Sequence, residues 1–370
     1  MKKRIASASH MVLGIAATLM ASALARAQSG FETNLRAGPQ FVRYELGGPV
    51  NETISQLAVP IFVVVPVSSA LTVDVGTAYA WSRVEPSSGA GGQRSTISGL
   101  TDTQVRANVI LGSDFVVLTA GLNLPTGQST AALDEQLAAF RIGSDFLAFP
   151  ISSFGTGFGM TGGIAIARPL GIWNVGAGGS VRHSGSYEPI EDNSGVRPRF
   201  QPGNEYRLRI GADRPFGTGR VALAATMSKF GDDDISGSIY NTGDRYVLQG
   251  GFTNRVRGAD VILDAWSMYR TSGTIYTGER VGPETITNLL IGVGFRTRAG
   301  VLEPSLEARS WQQENAGASV LATLGVRYNV SLGAFAVTPS VGYTTGRFAA
   351  VSQSANLSGV RGAVAIRVGK

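Results

Sequence analysis

Apolar and polar residues alternate one by one in stretch after stretch of this chain. In 205–213, Tyr206, Leu208, Ile210 and Ala212 share one face, while Glu205, Arg207, Arg209, Gly211 and Asp213 share the other. In 318–329, Ala318, Val320, Ala322, Leu324, Val326 and Tyr328 alternate with Ser319, Leu321, Thr323, Gly325, Arg327 and Asn329. A period of two marks a strand with one apolar and one polar face. Soluble sandwiches also contain such strands. Three features point elsewhere. The apolar stripes recur along most of the chain. The polar faces carry full charges, many of them Arg. The connections alternate in length.

The pattern predicts sixteen strands, near 31–46, 52–66, 70–84, 102–112, 114–124, 158–169, 172–184, 204–214, 219–229, 245–256, 259–270, 286–298, 301–311, 317–329, 333–345 and 356–368. Short connections follow the even-numbered strands, and mostly long ones follow the odd-numbered strands: 85–101, 125–157, 185–203, 230–244, 272–285 and 346–355. Short turns on one rim and long loops on the other describe an all-β, transmembrane, antiparallel up-and-down barrel. The count is about sixteen, within a range of roughly fourteen to eighteen. Hydrocarbon requires every backbone N–H and C=O to be paired internally, and a closed barrel does so without an edge. On the apolar faces, Tyr79, Trp81, Tyr206, Tyr246, Tyr269 and Tyr343 lie towards the long-loop rim, and Trp173, Phe295, Tyr328 and Phe335 towards the short-turn rim. Two aromatic girdles are expected where a barrel meets the two membrane interfaces.

The start of the chain fits export. Lys2, Lys3 and Arg4 precede an uncharged stretch, 5–25, and Ala25-Arg26-Ala27 matches a small-x-small cleavage pattern. Residues 1–27 read as a secretory signal peptide and 28–370 as the barrel. Removing the leader leaves 28 basic against 26 acidic residues, which is not a nucleic-acid-binding balance. The chain has no Cys, so disulfides, thiolate metal sites and thiol nucleophiles are excluded. No P-loop, His-Glu-x-x-His or dinucleotide fingerprint occurs. Neither cofactor nor metal is expected. The expected partners are outer-membrane lipid and lipopolysaccharide, the barrel-assembly machinery and a small-molecule solute, with no nucleic acid. The location expected is the outer membrane.

Gly99-Leu100-Thr101-Asp102, followed by a strand ending in Pro125-Thr126-Gly127, resembles the family labelled "MetA-pathway of phenol degradation" over about 50–185. That pattern usually has Gly-Leu-Gly-Asp; here Thr101 takes the second Gly position. The resemblance implies an outer-membrane channel, more distantly like the fatty-acid and aromatic-hydrocarbon uptake barrels, for hydrophobic or aromatic compounds. It supplies no catalytic residues. Outer-membrane barrels often end in an aromatic residue, whereas this chain ends Val368-Gly369-Lys370.

Four sets of residues are candidates for chemistry. The polar strand faces put Arg106, Arg182, Arg207, Arg209, Arg255, Asp260, Asp264, Arg296, Arg298, Glu303, Glu307, Arg309, Arg327, Arg361 and Arg367 in the lumen. There they either tune permeation as charge rings or form a salt-bridged interior that passes nothing. In the connection 125–157, Leu133, Leu137 and Phe140 have helical spacing, with Asp134 and Glu135 in the first turn. This is the candidate constriction; the alternative is a cap on the outer rim. Asp232-Asp233-Asp234 is an acidic run without ligand spacing and reads as a solvated loop. His183, in Arg182-His183-Ser184-Gly185-Ser186, is the histidine left after processing. It supports a third reading, an outer-membrane lipid hydrolase. The favoured reading is a non-enzymatic channel for small molecules, and a non-conducting structural or surface-interaction barrel is the runner-up.

Overall fold

A computed structural model describes residues 34–48, 50–86, 93–112, 115–314, 316–350 and 353–368. The expected leader lies outside the described residues. The strands are β1 (Asn34–Ala37, resuming at Gln40–Gly47), β2 (Glu52–Pro66), β3 (Leu71–Pro86), β4 (Ser95–Leu100 and Thr103–Leu111), β5 (Val116–Leu124), β6 (Gly159–Leu170), β7 (Trp173–Ser184) and β8 (Glu205–Phe216). They continue as β9 (Gly219–Phe230), β10 (Arg245–Val256), β11 (Ala259–Arg270), β12 (Glu284–Arg296), β13 (Gly300–Gln313), β14 (Ser319–Leu332), β15 (Phe335–Ala350) and β16 (Gln353–Val368). Every neighbouring pair is antiparallel, and β1 pairs with both β2 and β16. The sheet therefore closes on itself as a barrel of sixteen strands, in agreement with the sequence pattern.

Two outer connections are shorter than the sequence reading has them. The regions 85–101 and 346–355 were expected as long loops. β3 instead runs to Pro86 and β4 begins at Ser95. β15 and β16 stay in register from Phe335↔Val368 up to Ala350↔Gln353. These strand ends mix Ile97, Phe348 and Ala349 with Ser, Thr, Gly and Arg without a sustained alternation, so they carry little amphipathic signal, yet ladder pairing keeps them extended. The long loops that remain on that rim lie between β5 and β6, β7 and β8, β9 and β10, and β11 and β12.

The outer wall is apolar as the alternation requires. Leu208, Leu223, Leu248, Ile291 and Leu324 are all exposed on it. Among the described residues no helix is long and apolar enough to cross a membrane. Tyr206, Tyr246, Tyr269 and Tyr343 are exposed towards the long-loop rim, and Phe295 and Phe335 towards the other. Arginines at the interfaces lie over aromatic rings: Arg83 over Trp81 at 4.4 Å, and Arg168 over Phe115 at 4.7 Å. Such pairs keep the charge near headgroups while the stem covers apolar surface.

The inner face is not uniformly open. Leu324 is 67% exposed and its neighbour Thr323 only 5%. Thr323 faces inwards but is packed, its hydroxyl 2.9 Å from that of Thr344. Gln104, by contrast, faces inwards and stays accessible. Leu223→Arg, at the middle of β9, should destabilise the folded barrel by roughly 2–4 kcal/mol. Gln104→Arg should leave stability unchanged. Urea unfolding in lipid vesicles reads both, and equal damage would show that the faces are misassigned.

Candidate functional site: the lumen and its inward loop

The connection after β5 turns into the barrel. Its start and its end are gathered by one side chain, Asp102, which is buried where β4 breaks between Leu100 and Thr103. The Asp102 carboxylate accepts hydrogen bonds from the Gly127 amide (3.0 Å), the Thr156 amide (2.7 Å) and the Asn123 side chain (2.8 Å). The Asp102 amide donates to Phe154 O at 3.0 Å. Thr126 donates to Thr101 O, and Thr101 accepts from the Ala78 amide. Gly127 has no room for a side chain, because a Cβ there would sit 2.1 Å from Phe154 O. Asp102, Pro125, Thr126 and Gly127 thus lie together as a clasp at the loop base, with Gly99 and Leu100 in the strand that leads to it.

Above the clasp, helix α1 (Gln136–Ile142) rests on the ends of β3 and β4. The Ser95 hydroxyl donates to Asp134 O (2.7 Å) and accepts from the Ala138 amide (3.0 Å). Arg141 pairs with Glu52 at 2.6 Å. These contacts turn Ala138 and Ile142 inwards, at 0% and 1% exposure. The expected face is therefore the wrong one. Leu133, Leu137 and Phe140 are 53%, 40% and 75% exposed. Leu133 precedes the helix altogether. Asp134 is exposed at the rim, and Glu135 accepts from the Ala132 amide (3.0 Å) and from Gln128 instead of facing lumen arginines.

The segment that enters the lumen is the one that follows the helix. Asp145 pairs with Arg270 (3.1 Å) and Arg245 (3.6 Å) on β11 and β10. Phe146 packs on Phe348 and Trp311, with centroids 6.0 and 6.1 Å away. Its carbonyl accepts from Arg309 at 2.9 Å. Tyr44 on β1 donates to Leu147 O at 3.3 Å. Gln56 on β2 holds both the N–H and the C=O of Ile151, at 2.9 and 2.7 Å. Ala148 takes a positive φ of 50°, and its neighbours Leu147 and Phe149 are both buried. The sequence signal was present in Phe146-Leu147-Ala148-Phe149-Pro150-Ile151, an unbroken apolar run in this connection.

This segment packs against β1, β2, β10, β11, β13 and β15, and open space remains along β4–β9, reaching Asp74 on β3 and Gln249, Asp264 and Trp266 on β10 and β11. One cavity of about 540 Å³ on the open side is lined by Asp74, Arg106, Asn123, Arg182, Glu205 and Arg207. A second, of about 720 Å³, lies lower, against Arg209, Asp213, Arg220, Gln249, Asp264 and Trp266 over a floor of Gly and Ala. Most charges here are paired: Arg106–Asp74 at 2.9 Å, Arg207–Glu205 at 2.6 Å and Arg220–Asp213 at 2.9 Å. Arg182 and Arg209 have no ion-pair partner among the described residues; Arg209 approaches Gln249 at 3.4 Å.

The other predicted lumen residues sort by wall. Glu307 is nearly buried between Arg309 (2.7 Å) and Arg361, and Glu303 pairs with Arg327 at 2.5 Å. Arg255 and Arg296 share Asp260 near the short-turn rim, at 2.8 and 3.7 Å. Arg367 lines a third cavity. Arg298 lies outside the strands, in the turn after β12, because the ladder of β12 ends at Arg296.

The outer loops roof the open side. Strand segments Phe200–Gln201, Asp233–Ile235 and Ser238–Tyr240 form a small sheet. Tyr187, Phe200 and Tyr240 pack beneath it, with centroids 5.4 and 6.4 Å apart. Burial and the nearby Asp233 charge push both tyrosine hydroxyls up to about 12. The acidic run holds loop backbone: Asp233 accepts from the Gly203 amide and Asp234 from the Gly237 amide. No metal-ligand group occurs among the described residues. His183 Nδ1 meets Asn204 Oδ1 at 2.8 Å, and Ser186 accepts from Arg199; among the described residues no hydrogen bond joins His183 to Ser186.

No family model matches the chain, and no curated protein matches it. The phenol-degradation resemblance therefore rests on its motif residues. Similar solved structures include a CymD monoaromatic hydrocarbon channel, at 11% identity and a TM-score of 0.45 over 93% of this chain and 90% of that one. An anion-selective porin from Comamonas acidovorans is 11% identical, with a TM-score of 0.43 over 92% of this chain and 99% of the porin. An outer membrane channel from Pseudomonas putida F1 is 11% identical, with a TM-score of 0.40 over 91% and 95%. These values are low, and the barrel is established by the chain's own strand pairing.

Asp102→Ala removes the acceptor for three donors and should loosen the loop by about 3 kcal/mol while the barrel still closes. Limited proteolysis should then cut between 128 and 157, with heat-modifiable migration of the barrel unchanged. An uncut loop would show that the clasp is dispensable.

Proposed function

We propose that this chain is an outer-membrane channel through which small solutes diffuse along an off-centre path beside β4–β9. The observation that carries the reading is the inward segment, which fills one side of the lumen and leaves a charged wall facing water on the other. A barrel of sixteen strands is wide enough to need such filling. Charged side chains along a narrowed path set which ions pass. Arg106, Arg182, Arg207, Arg209 and Arg220 stand against Asp74, Glu205, Asp213 and Asp264, which gives a modest preference for anions. The motif resemblance adds aromatic compounds as the solute class to test first. Export through cleavage before Gln28, and assembly next to lipopolysaccharide, belong to the same reading.

A plugged, structural barrel is the second reading, favoured by the packing of Phe146 on Trp311 and Phe348. One experiment separates the two. Residues 144–153 are replaced by a short Gly/Ser linker, which leaves Gly127 and Thr156 on the clasp. Planar-bilayer recording should give a small conductance for the native chain and a larger one for the variant. Selectivity should shift towards anions, because Asp145 is gone while Arg245, Arg270 and Arg309 stay. Silence from the native chain supports the plug. Equal conductances mean that the loop does not narrow the path.

A further inference from the structure

At the short-turn end of the lumen, a cavity of about 530 Å³ lies against β1, β2, β14, β15 and β16. Arg36 and Arg367 both line it. The register of β1 and β16 sets these two residues directly opposite each other. Like charges directly opposite on paired strands repel and destabilise the pair. Elsewhere in the lumen the fold answers most arginines with an acid, Arg182 and Arg209 apart. Arg106 has Asp74, Arg207 has Glu205, Arg327 has Glu303, and Arg309 and Arg361 share Glu307. Here it does not: among the described residues neither Arg36 nor Arg367 has an ion pair, and no Asp or Glu lines the cavity. The polar groups around the pair are Gln40, Asn329, Ser331 and Thr338, with the Thr338 hydroxyl donating to Asn329 Oδ1 at 2.7 Å.

We propose that Arg36 and Arg367 form a binding site for a small oxyanion of the phosphate or carboxylate class at the short-turn mouth of the barrel. Two guanidinium forks on one face match the geometry of a tetrahedral or planar oxyanion and bind it with charge-assisted hydrogen bonds. Arg36 and Arg367 are both exposed where they line the cavity, so a soluble anion can reach the pair. The anion removes the repulsion that the register imposes. The site does not depend on whether the barrel conducts, so its failure is distinguishable from failure of the channel reading. The competing occupant is a carboxylate of this chain itself. Glu32 and the chain end, which lie outside the described residues, are the two to test.

The test uses the folded chain in detergent micelles, with inorganic phosphate as probe and calorimetry and thermal unfolding as readouts. Phosphate binding only to the folded state should raise the unfolding midpoint with concentration. Arg36→Gln and Arg367→Gln should each weaken binding about tenfold, and the double variant should lose both the binding and the midpoint shift. Without phosphate the double variant should unfold no lower than the native chain, since its repulsion is gone. Arg36→Lys with Arg367→Lys should retain weaker binding. The site is refuted by no phosphate binding to the native chain, or by an equal midpoint shift in the double Gln variant. Binding seen only with Glu32→Gln, or only once the terminal carboxylate is amidated, refutes it too, because an internal acid then fills the place.

Discussion

A backbone that crosses hydrocarbon has no water to satisfy its amides, and this one constraint organises the molecule. Each unpaired N–H or C=O at that depth costs several kcal/mol, so the sheet must have no edge. Closure of β1 onto β16 meets that demand, from Leu35↔Val368 near one rim to Gly47↔Asn356 near the other. Closure in turn fixes the parity of every strand. At the middle of the wall Leu208, Leu223, Leu248 and Leu324 then face lipid, and Asp74, Arg106, Arg207 and Glu307 face the lumen.

A closed barrel of this size encloses more space than its own side chains fill, which gives the Asp102 clasp its importance. A buried carboxylate needs donors on all sides. Asp102 finds them in backbone from both ends of a connection that leaves β5 and returns to β6. Pinning those ends together at the wall directs the intervening chain across the lumen. The apolar run 146–151 then meets Trp311, Phe348, Tyr44 and Ile54 inside the barrel, as loop and wall build one apolar cluster. The filled side is dry and stacked. The open side keeps the glycine-rich faces of β6 and β7 and the arginines of β7 and β8.

Charge pairing follows the same division. Beside the filled side, Glu307 carries two arginines and its desolvation is offset by both. Removing either partner there would strand a nearly buried charge. On the open side the arginines of the pairs are half-exposed while Asp74 and Glu205 are largely covered, so water screens these pairs more than it screens those of Glu307. Arg36 and Arg367 fit neither group, since closure itself brings them together without an acid.

The sequence by itself determined the strands, their faces, the aromatic girdles and the alternation of short turns with longer loops. Each of these depends on a residue and its neighbours two positions away, and period two is readable without knowing the partner strand. The motif residues Asp102, Pro125, Thr126 and Gly127 were also legible as a set, though not as the two halves of one clasp. Tertiary structure alone decided which face of the 125–157 connection is covered. Helical spacing singled out Leu133, Leu137 and Phe140, but a periodic stripe does not say what lies against it. Ser95 and Glu52, remote in sequence, turned Ala138 and Ile142 inwards instead. It also decided that Thr323 is packed and that Arg36 meets Arg367. Those outcomes depend on register and barrel closure, which join residues from different strands and leave no local trace in the chain.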